Sequence, residues 1–247
     1  MRIVVTGGSG NVGRYVTPEL LDHGHEVTIF DRIKPEFLDV PFVEGSILDI
    51  DACRRAFQGA DVIIHMAAIP HPLNDPPEIV MHVNTTGTFI VHQAAVDVGV
   101  RRVVHASSDS SYGLVFRRVD FSPDYLPLDE EHPQKPQDAY GLSKKIGEAI
   151  ARSFTRGYAL ETVAIRICFV WFPHIAESYR HLTTDPGDRK WINGLWLYND
   201  ARDVATAFRL ASEIPDLRYE VFLISAEENG TIFETMELVR KYDTFHL

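Results

Sequence analysis

The segment that decides the fold is Arg2-Ile3-Val4-Val5-Thr6-Gly7-Gly8-Ser9-Gly10-Asn11-Val12-Gly13, an apolar run that leads directly into closely spaced glycines. This pattern predicts a buried strand, a turn and a helix, the arrangement that binds a dinucleotide. Gly7 permits the tight turn, Gly10 lets the main chain approach a pyrophosphate, and Gly13 lets the helix lie close to the strand. Free N–H groups at the helix start favour an anion. Cofactor contacts are also predicted for Ser9, Asn11 and Val12.

The next apolar run, residues 26–30, ends in Asp31. An acid at the end of the second strand accepts hydrogen bonds from the adenine ribose, and its charge repels a 2′-phosphate. We therefore predict that the cofactor is NAD rather than NADP. Arg32 is of a type that pairs with such a phosphate, and we include it among the cofactor contacts. A solvated arginine at a strand end is nevertheless its simpler interpretation.

Composition restricts the class of protein. The 247 residues suffice for one large α/β domain, and the net charge of −11 disfavours a nucleic-acid partner. Cys53 and Cys168 form no Cys-x-x-Cys pair, and the eleven histidines show no ligand spacing, so we expect neither a disulfide scaffold nor a metal site. No charge-free segment reaches membrane-spanning length and no signal-peptide pattern is present, so we expect a cytoplasmic protein without membrane contacts.

Short apolar runs alternate with helical patterns along the chain. They predict buried parallel strands at residues 3–5, 27–30, 62–65, 103–105, 163–167 and 221–224. Helices are predicted at residues 12–22, 51–57, 77–98, 139–155 and 200–211. The alternation indicates an α/β fold with a doubly wound, Rossmann-like parallel sheet. Pro18 conflicts with the first helix, at a cost of about 3 kcal/mol unless that helix bends.

Residues 114–138 and 172–199 interrupt the alternation, and both follow strand ends, where ligands bind in an open α/β sheet. We therefore predict a single domain, residues 1–247, with a small C-terminal substrate-binding region. The predicted dinucleotide-binding core comprises residues 1–168 and 200–225, and the substrate-binding region comprises residues 169–199 and 226–247.

Tyr140-Gly141-Leu142-Ser143-Lys144 opens a predicted helix and places Tyr140 and Lys144 on one face. Tyrosine has an ordinary pKa of about 10, so a base working near pH 7 needs about 4 kcal/mol of stabilisation of its phenolate. A lysine ammonium about 4 Å away, at an effective dielectric near 20, supplies about that much. The same spacing is common on solvated helices. Upstream, Ser107 and Ser108 end a strand at the sheet edge, where a serine can donate to a substrate oxygen.

Together these motifs resemble the extended short-chain dehydrogenases/reductases of the NAD-dependent epimerase/dehydratase family. The resemblance runs from Met1 to about Ala211. Its motifs are Thr6-Gly7-Gly8-Ser9-Gly10-Asn11-Val12-Gly13, His65-Met66-Ala67-Ala68, Asn84-Thr85-Thr86-Gly87-Thr88, Ser107-Ser108-x-x-x-Tyr112-Gly113 and Tyr140-x-x-x-Lys144.

The resemblance implies that Tyr140 is the general acid/base, and that Lys144 binds the nicotinamide ribose and lowers the pKa of the tyrosine. It also implies that Ser108 orients the reacting oxygen and that Asn84 supports the lysine through water. Members of the family commonly carry Gly-Asp after the third strand, whereas this chain has Gly45-Ser46, which weakens the expected adenine contact. Further cofactor contacts are implied for Ser46, Ile47, Ala67, Ala68 and Ile167.

The segment after the sixth strand departs from nucleotide-sugar enzymes, which resemble Arg-x-x-Asn-x-Tyr-Gly-Pro there. This chain has Arg166-Ile167-Cys168-Phe169-Val170-Trp171-Phe172-Pro173. Phe169 cannot hydrogen-bond a diphosphate, and only 247 − 203 = 44 residues follow Asp203, which leaves little material for a nucleotide-clasping lobe. Both observations favour a compact substrate.

Small members of the family include the uronate dehydrogenases, to which this chain is similar in its Ser-Ser-x-x strand end and in Trp196. Those enzymes differ in the loop that here reads Ile69-Pro70-His71, and they carry an arginine for the substrate carboxylate. The nearest counterparts here are Arg189 and Lys190, so a sugar acid, a neutral aldose and another small polyol all remain open. The predicted substrate contacts are Ser108, Asp109, Ser110, Tyr140 and Arg189, with residues 172–196 enclosing them.

Three functions are compatible with these motifs. They are a dehydrogenase that releases NADH, a UDP-glucose 4-epimerase-like isomerase that retains NAD, and a non-catalytic NAD-binding sensor. The joint presence of Ser108, Tyr140 and Lys144 argues against the sensor. The expected partner is a sugar, sugar acid or nucleotide sugar, and a homodimer is left open.

Overall fold

The computed structural model describes residues 1–242. The predicted substrate-binding region includes residues 243–247, which lie outside the described residues. The strands of residues 1–242 are β1 (Arg2–Thr6), β2 (Glu26–Asp31), β3 (Phe42–Glu44), β4 (Val62–His65), β5 (Arg102–Ser108), β6 (Glu161–Ile167), β7 (Phe169–Trp171), β8 (Tyr198–Asp200) and β9 (Tyr219–Ile224). The α-helices are α1 (Gly13–Asp22), α2 (Ile50–Phe57), α3 (Pro77–Met81), α4 (Gly87–Asp97), α5 (Ala139–Gly157), α6 (Arg180–Thr184), α7 (Arg189–Asn193), α8 (Ala201–Glu213) and α9 (Thr235–Tyr242).

The main sheet has seven strands in the order β3-β2-β1-β4-β5-β6-β9. All neighbouring pairs are parallel, which confirms the predicted Rossmann-like fold. The order reverses between β1 and β4, so the strand ends there diverge and leave a crevice for a ligand.

Both faces of the sheet are buried. Alternate residues of β1 point to opposite faces, so Ile3 and Val5 pack with helices α1 and α8, whereas Val4 packs with α2 and α4. This two-sided burial explains why the central strands are continuous apolar runs instead of alternating patterns.

Several elements differ from the sequence prediction, whereas the first helix ends at Asp22 as predicted. The helix predicted over residues 77–98 is divided into α3, a π-helical turn (His82–Thr86) and α4. Strand β3 was not predicted, because its three residues are partly exposed and show no apolar run. Pro18 lies inside α1, which continues to Asp22.

Strands β7 and β8 and helices α6, α7 and α9, which follow β6 in the chain, form a small subsidiary structure beside the sheet. Strands β7 and β8 pair in parallel, and Trp191, Trp196 and Leu238 form the core beneath α6, α7 and α9. Leu195 and Trp196 adopt φ angles of 57° and 56°, a conformation that costs non-glycine residues about 1 kcal/mol or more each.

The segment of residues 114–138 has little regular structure but is anchored at several points. The Tyr112 hydroxyl donates to the Asp129 carbonyl (2.8 Å), and the Glu130 carboxylate accepts from the Leu223 amide (2.7 Å). These bonds attach it to β9 and to the turn after β5. No helix in residues 1–242 combines the length and the apolar character that a membrane crossing needs.

Candidate active site

A cleft of about 1430 Å³ opens at the carboxyl ends of β1, β4, β5 and β6. It collects most of the residues that the sequence singled out. Those that line it are Gly7, Ser9, Gly10, Asn11, Val12, Asp31, Arg32, Ser46, Ile47, Ala67, Ala68, Ser108, Asp109, Ser110, Tyr140, Lys144 and Ile167. Gly13, Asn84 and Arg189 are not among the lining residues.

The glycine loop is packed so closely that two positions admit only glycine. Gly7 has a φ of +72°, and a Cβ added there would lie 2.5 Å from the Ala67 amide nitrogen. A Cβ on Gly13 would lie 2.1 Å from the Gly8 carbonyl oxygen. Gly13 therefore lets the helix close onto the loop's own main chain, a contact different from the helix-to-strand contact expected.

Helix α1 begins at this loop with its positive end uncompensated. Its N-cap residue, Val12, makes no side-chain capping bond, and the first turn holds no acid. An anion at the loop is therefore favoured by the dipole and by the unpaired N–H groups.

Asp31 is held against the same loop. Its Oδ2 accepts a hydrogen bond from the Ser9 amide (3.1 Å), and its Oδ1 accepts one from the Arg32 amide (2.7 Å). The acid at the end of β2 and the phosphate-binding loop are thus positioned relative to each other. Together with the open end of α1, this donor and acceptor set fits NAD.

The N-terminus of α5 is set by Asp138, whose Oδ1 accepts from the Gly141 amide at 2.9 Å. This start directs both Tyr140 and Lys144 into the cleft, where they are only 9% and 5% exposed. The Lys144 Nζ donates to the Ala106 carbonyl (2.7 Å) and lies 5.5 Å from the centre of the Tyr140 ring. Ser108 is within hydrogen-bonding reach of the Tyr140 hydroxyl.

The electrostatics of this group correct one expectation. Burial raises the pKa of Tyr140, Asp109 and Asp138 raise it further, and only the bond from Ser108 acts in the lowering direction. Burial also lowers the pKa of Lys144 to about 8, against the opposing effect of Glu148. The predicted depression of the tyrosine pKa by Lys144 is therefore absent here, because desolvation dominates both groups.

Asn84 is held by direct hydrogen bonds on two sides. Its Nδ2 donates to the Ser143 hydroxyl and to the Ile69 carbonyl, both at 3.0 Å, and its Oδ1 accepts from the Ile69 amide at 2.8 Å. The side chain thus ties the loop after β4 to α5, and its support of Lys144 through water stays a prediction. The π-helical turn that carries Asn84 allows this reach.

A buried ion pair that the sequence did not reveal lies beneath Tyr140 and Lys144. The Glu148 carboxylate accepts from Arg166 at 2.8 and 2.9 Å and from the Ser107 hydroxyl at 2.6 Å. Arg166 also donates to the Tyr112 hydroxyl (2.9 Å), so the pair links β5, β6 and α5. The available signal was the spacing of Tyr140, Lys144 and Glu148, which recur every four residues on one helix face.

Aromatic side chains dominate the end of the cleft beyond Tyr140. The Phe169 ring lies 5.2 Å from that of Tyr179 and 5.4 Å from that of Trp191, both in edge-to-face geometry. Phe116 lies edge-on to Tyr140 at 6.3 Å. This end suits a ligand with an apolar face, such as the C–H face of a sugar ring.

Arg189 does not occupy the substrate position predicted for it. Its side chain is 71% exposed at the start of α7, and its Nη2 lies 3.0 Å from the Asp120 carboxylate. The tertiary contacts of residues 114–138 bring Asp120 to this arginine and away from the cleft. Within residues 1–242 no group of three or more His, Cys, Asp or Glu side chains is arranged to hold a metal ion.

Known proteins resemble this chain along most of its length. L-arabinose 1-dehydrogenase (NAD(P)(+)) of Haloferax volcanii is 31% identical over 96% of this chain and 94% of that protein. Uronate dehydrogenase of Pseudomonas syringae pv. tomato is 28% identical over 98% of this chain and 80% of that protein.

A solved structure and a family model agree with these relatives. A short-chain dehydrogenase/reductase superfamily protein from Agrobacterium tumefaciens, crystallised with bound NAD, superposes with a TM-score of 0.78 at 27% identity. The match covers 98% of this chain and 81% of that one. The model of the NAD-dependent epimerase/dehydratase family matches residues 3–185. The chain therefore belongs to the NAD-dependent epimerase/dehydratase family, and it is an enzyme whose cofactor is NAD.

Proposed function

We propose that the protein is an NAD-dependent dehydrogenase that oxidises a hydroxyl-bearing carbon of a small free sugar, sugar acid or similar polyol, with Tyr140 as the general base. The observation that carries this proposal is the convergence of Ser108, Tyr140 and Lys144 in one cleft with the glycine loop and Asp31. The full-length similarity to L-arabinose 1-dehydrogenase supports the same reaction class.

In this mechanism the reacting hydroxyl of the substrate lies between Ser108 and Tyr140. Ser108 orients the oxygen of this hydroxyl, and the Tyr140 phenolate takes its proton. At the same time the carbon loses a hydride, and the C–O bond becomes a carbonyl. NAD, when bound, supplies the hydride acceptor and a positive charge that favours the phenolate. Lys144 binds the nicotinamide ribose, and the proton on Tyr140 then passes to solvent.

Burial of Tyr140 is consistent with this role. A desolvated phenol is a weak acid in the free protein, and the positive charge of a bound nicotinamide ring would then have a large effect on its pKa. Water excluded from the site also cannot compete for the Ser108 hydroxyl.

The aromatic end of the cleft favours a dehydrogenase over a nucleotide-sugar epimerase. Phe169 packs between Tyr179 and Trp191 and offers no hydrogen bond to a diphosphate. A single sugar ring can instead lie against such a surface, and the resulting NADH is released at each turnover.

The decisive experiment follows NADH formation by absorbance with free sugars, sugar acids, polyols and UDP-sugars, L-arabinose included. We expect stoichiometric NADH with at least one free sugar, sugar acid or polyol, and no interconversion of UDP-glucose and UDP-galactose. Interconversion without net NADH would instead establish an epimerase. NAD binding without turnover of any compound would support a sensor.

A further inference from the structure

Asp109 places a carboxyl group directly beside the proposed reacting atoms. It follows Ser108 at the end of β5, opens the short 3₁₀ turn Asp109–Tyr112 and lines the same cleft as Tyr140. The residue is only 9% exposed, so its charge is poorly screened by solvent.

The partners of this carboxyl are neutral. The Ser108 hydroxyl donates to Asp109 Oδ1 at 3.1 Å, and Ser110 and Cys168 also bond to it. None of the described side chains forms an ion pair with it, since Arg166 is paired with Glu148 and Arg189 with Asp120. Burial raises the pKa of Asp109 to about 6, and the bonds from Ser108 and Ser110 oppose this rise. Above pH 7 the group is therefore mostly ionised and lacks a counter-ion.

An uncompensated carboxylate in a substrate pocket distinguishes ligands by charge. A sugar hydroxyl is a stronger donor than the Cys168 thiol and can replace it on this carboxylate. A carboxylate on the ligand would lie beside a like charge at a poorly solvated position. Such repulsion strongly favours neutral ligands over acidic ones.

We propose that Asp109 makes the enzyme selective for neutral, polyhydroxylated substrates, by accepting hydrogen bonds from sugar hydroxyls and repelling sugar acids. The inference rests on the proposed dehydrogenase function and narrows its substrate class. It removes sugar acids from the three substrate types that the motifs left open.

The test compares sugars that differ only in the group attached to one carbon, which is either charged or neutral. Galacturonate carries a carboxylate where galactose carries CH₂OH and L-arabinose carries hydrogen, and glucuronate is paired with glucose in the same way. NADH formation is measured at pH 8, above the pKa of about 6 to which burial raises the Asp109 carboxyl. We expect kcat/KM for a neutral sugar to exceed that for the matching acid by about tenfold or more.

Asp109→Asn tests whether this residue causes the selection, because it keeps the shape and removes the charge. We expect Asp109→Asn to lower the ratio of kcat/KM for the neutral sugar to kcat/KM for the acid by about tenfold, mainly through a lower KM for the acid. Asp51→Asn is the matched control, since that carboxylate is exposed on α2, and it should leave the ratio unchanged. NAD affinity measured by calorimetry shows whether each variant is folded.

Two results separate this inference from the proposed function. Efficient oxidation of a sugar acid by the unmodified protein, or an unchanged ratio in a folded Asp109→Asn protein, overturns the selection and leaves the dehydrogenase intact. NADH formation from none of the compounds, with NAD still bound, overturns the dehydrogenase and the selection together. If Asp109→Asn does not fold, the kcat/KM values of the unmodified protein for the paired sugars still show whether the enzyme selects against sugar acids.

Discussion

Tyr140 shows how burial shapes the pKa of the proposed general base. Its hydroxyl lies at the end of β5 beside Ser108, and desolvation keeps it protonated in the free protein. The same burial lowers the pKa of Lys144 to about 8, so part of the lysine population is neutral at mildly alkaline pH. We therefore expect proton transfer at this site to depend on the positively charged nicotinamide ring of bound NAD.

Replacement of Tyr140 tests the general base. Tyr140→Phe should lower kcat by about 10²- to 10⁴-fold and leave NAD affinity nearly unchanged, because the hydroxyl acts in the transition state. Steady-state kinetics and calorimetry measure the two quantities. Tyr158→Phe is the matched control, since Tyr158 is exposed at the end of α5. Near-normal turnover in Tyr140→Phe would exclude the proposed mechanism.

Replacement of Asp31 tests the choice of cofactor. The unmodified protein should bind NAD more tightly than NADP, and Asp31→Ala should shift the preference toward NADP because the charge that repels a 2′-phosphate is removed. Calorimetric titration with both cofactors measures the ratio, and Asp51→Ala supplies an exposed acid as control. Equal or tighter binding of NADP by the unmodified protein would falsify this prediction.

At the scale of elements, the π-helical turn His82–Thr86 explains the position of Asn84. The wider turn is stabilised by side chains, since the Thr85 hydroxyl donates to the Met81 carbonyl and the Thr88 hydroxyl donates to the Asn84 carbonyl, both at 2.6 Å. Asn84 then reaches across to Ile69 and Ser143. One irregular turn thus fixes the relation between the loop after β4 and α5.

The buried pair of Glu148 and Arg166 holds the elements beneath the site together. Glu148→Gln leaves the Arg166 charge buried without a partner, so we expect a loss of about 3 kcal/mol in the free energy of unfolding. Urea denaturation measures this loss. Glu177→Gln breaks a fully surface-located pair with Arg180 and should change stability by less than about 0.5 kcal/mol. Equal effects of the two substitutions would contradict the prediction.

A cluster of buried imidazoles joins β4, β5 and α4. The His65 and His105 rings stack at 5.5 Å, and His92 lies edge-on to His105 at 6.2 Å. Both ring nitrogens of His105 and the Nε2 of His92 lack a hydrogen-bond partner among the described atoms. Burial lowers the pKa of all three, that of His92 to about 4, so the folded protein keeps them neutral.

This cluster predicts a loss of stability in acid. The unfolded chain takes up protons on these residues below about pH 6.5 whereas the folded protein does not, so stability falls as pH drops from 6.5 toward 4. His92→Gln should reduce this dependence by about 1 kcal/mol per pH unit. Urea denaturation between pH 7 and 5 measures the slope. The exposed His82→Gln is the control, and an unchanged slope in His92→Gln would contradict the prediction.

At the scale of the whole molecule, the cleft lies between the sheet edge and the small structure built after β6. Residues 114–138 and α7 meet at the protein surface, outside the cleft, through Asp120 and Arg189. The aromatic cluster of Phe169, Tyr179 and Trp191 lines the cleft beyond Tyr140. The substrate pocket thus draws its walls from segments that are distant in sequence.

The sequence by itself determined the sheet, the glycine loop and the placement of Tyr140 and Lys144 on one helix face, because these depend on local rules. Apolar β-branched runs specify buried strands, closely spaced glycines specify a loop that admits phosphates, and the interval between Tyr140 and Lys144 specifies one helix face. The short edge strand β3 and the π-helical turn escaped prediction, since neither has a local pattern of its own.

Only the tertiary structure decided how the polar side chains are partnered. It paired Arg189 with Asp120 at the surface, directed Asn84 to Ile69 and Ser143, and left Asp109 buried among neutral groups. Hydrogen bonds and ion pairs require contact within a few ångströms, and burial sets the pKa of each group. The partners of a polar group and its burial both depend on which distant segments the fold brings together, and the spacing of residues along the chain does not determine this.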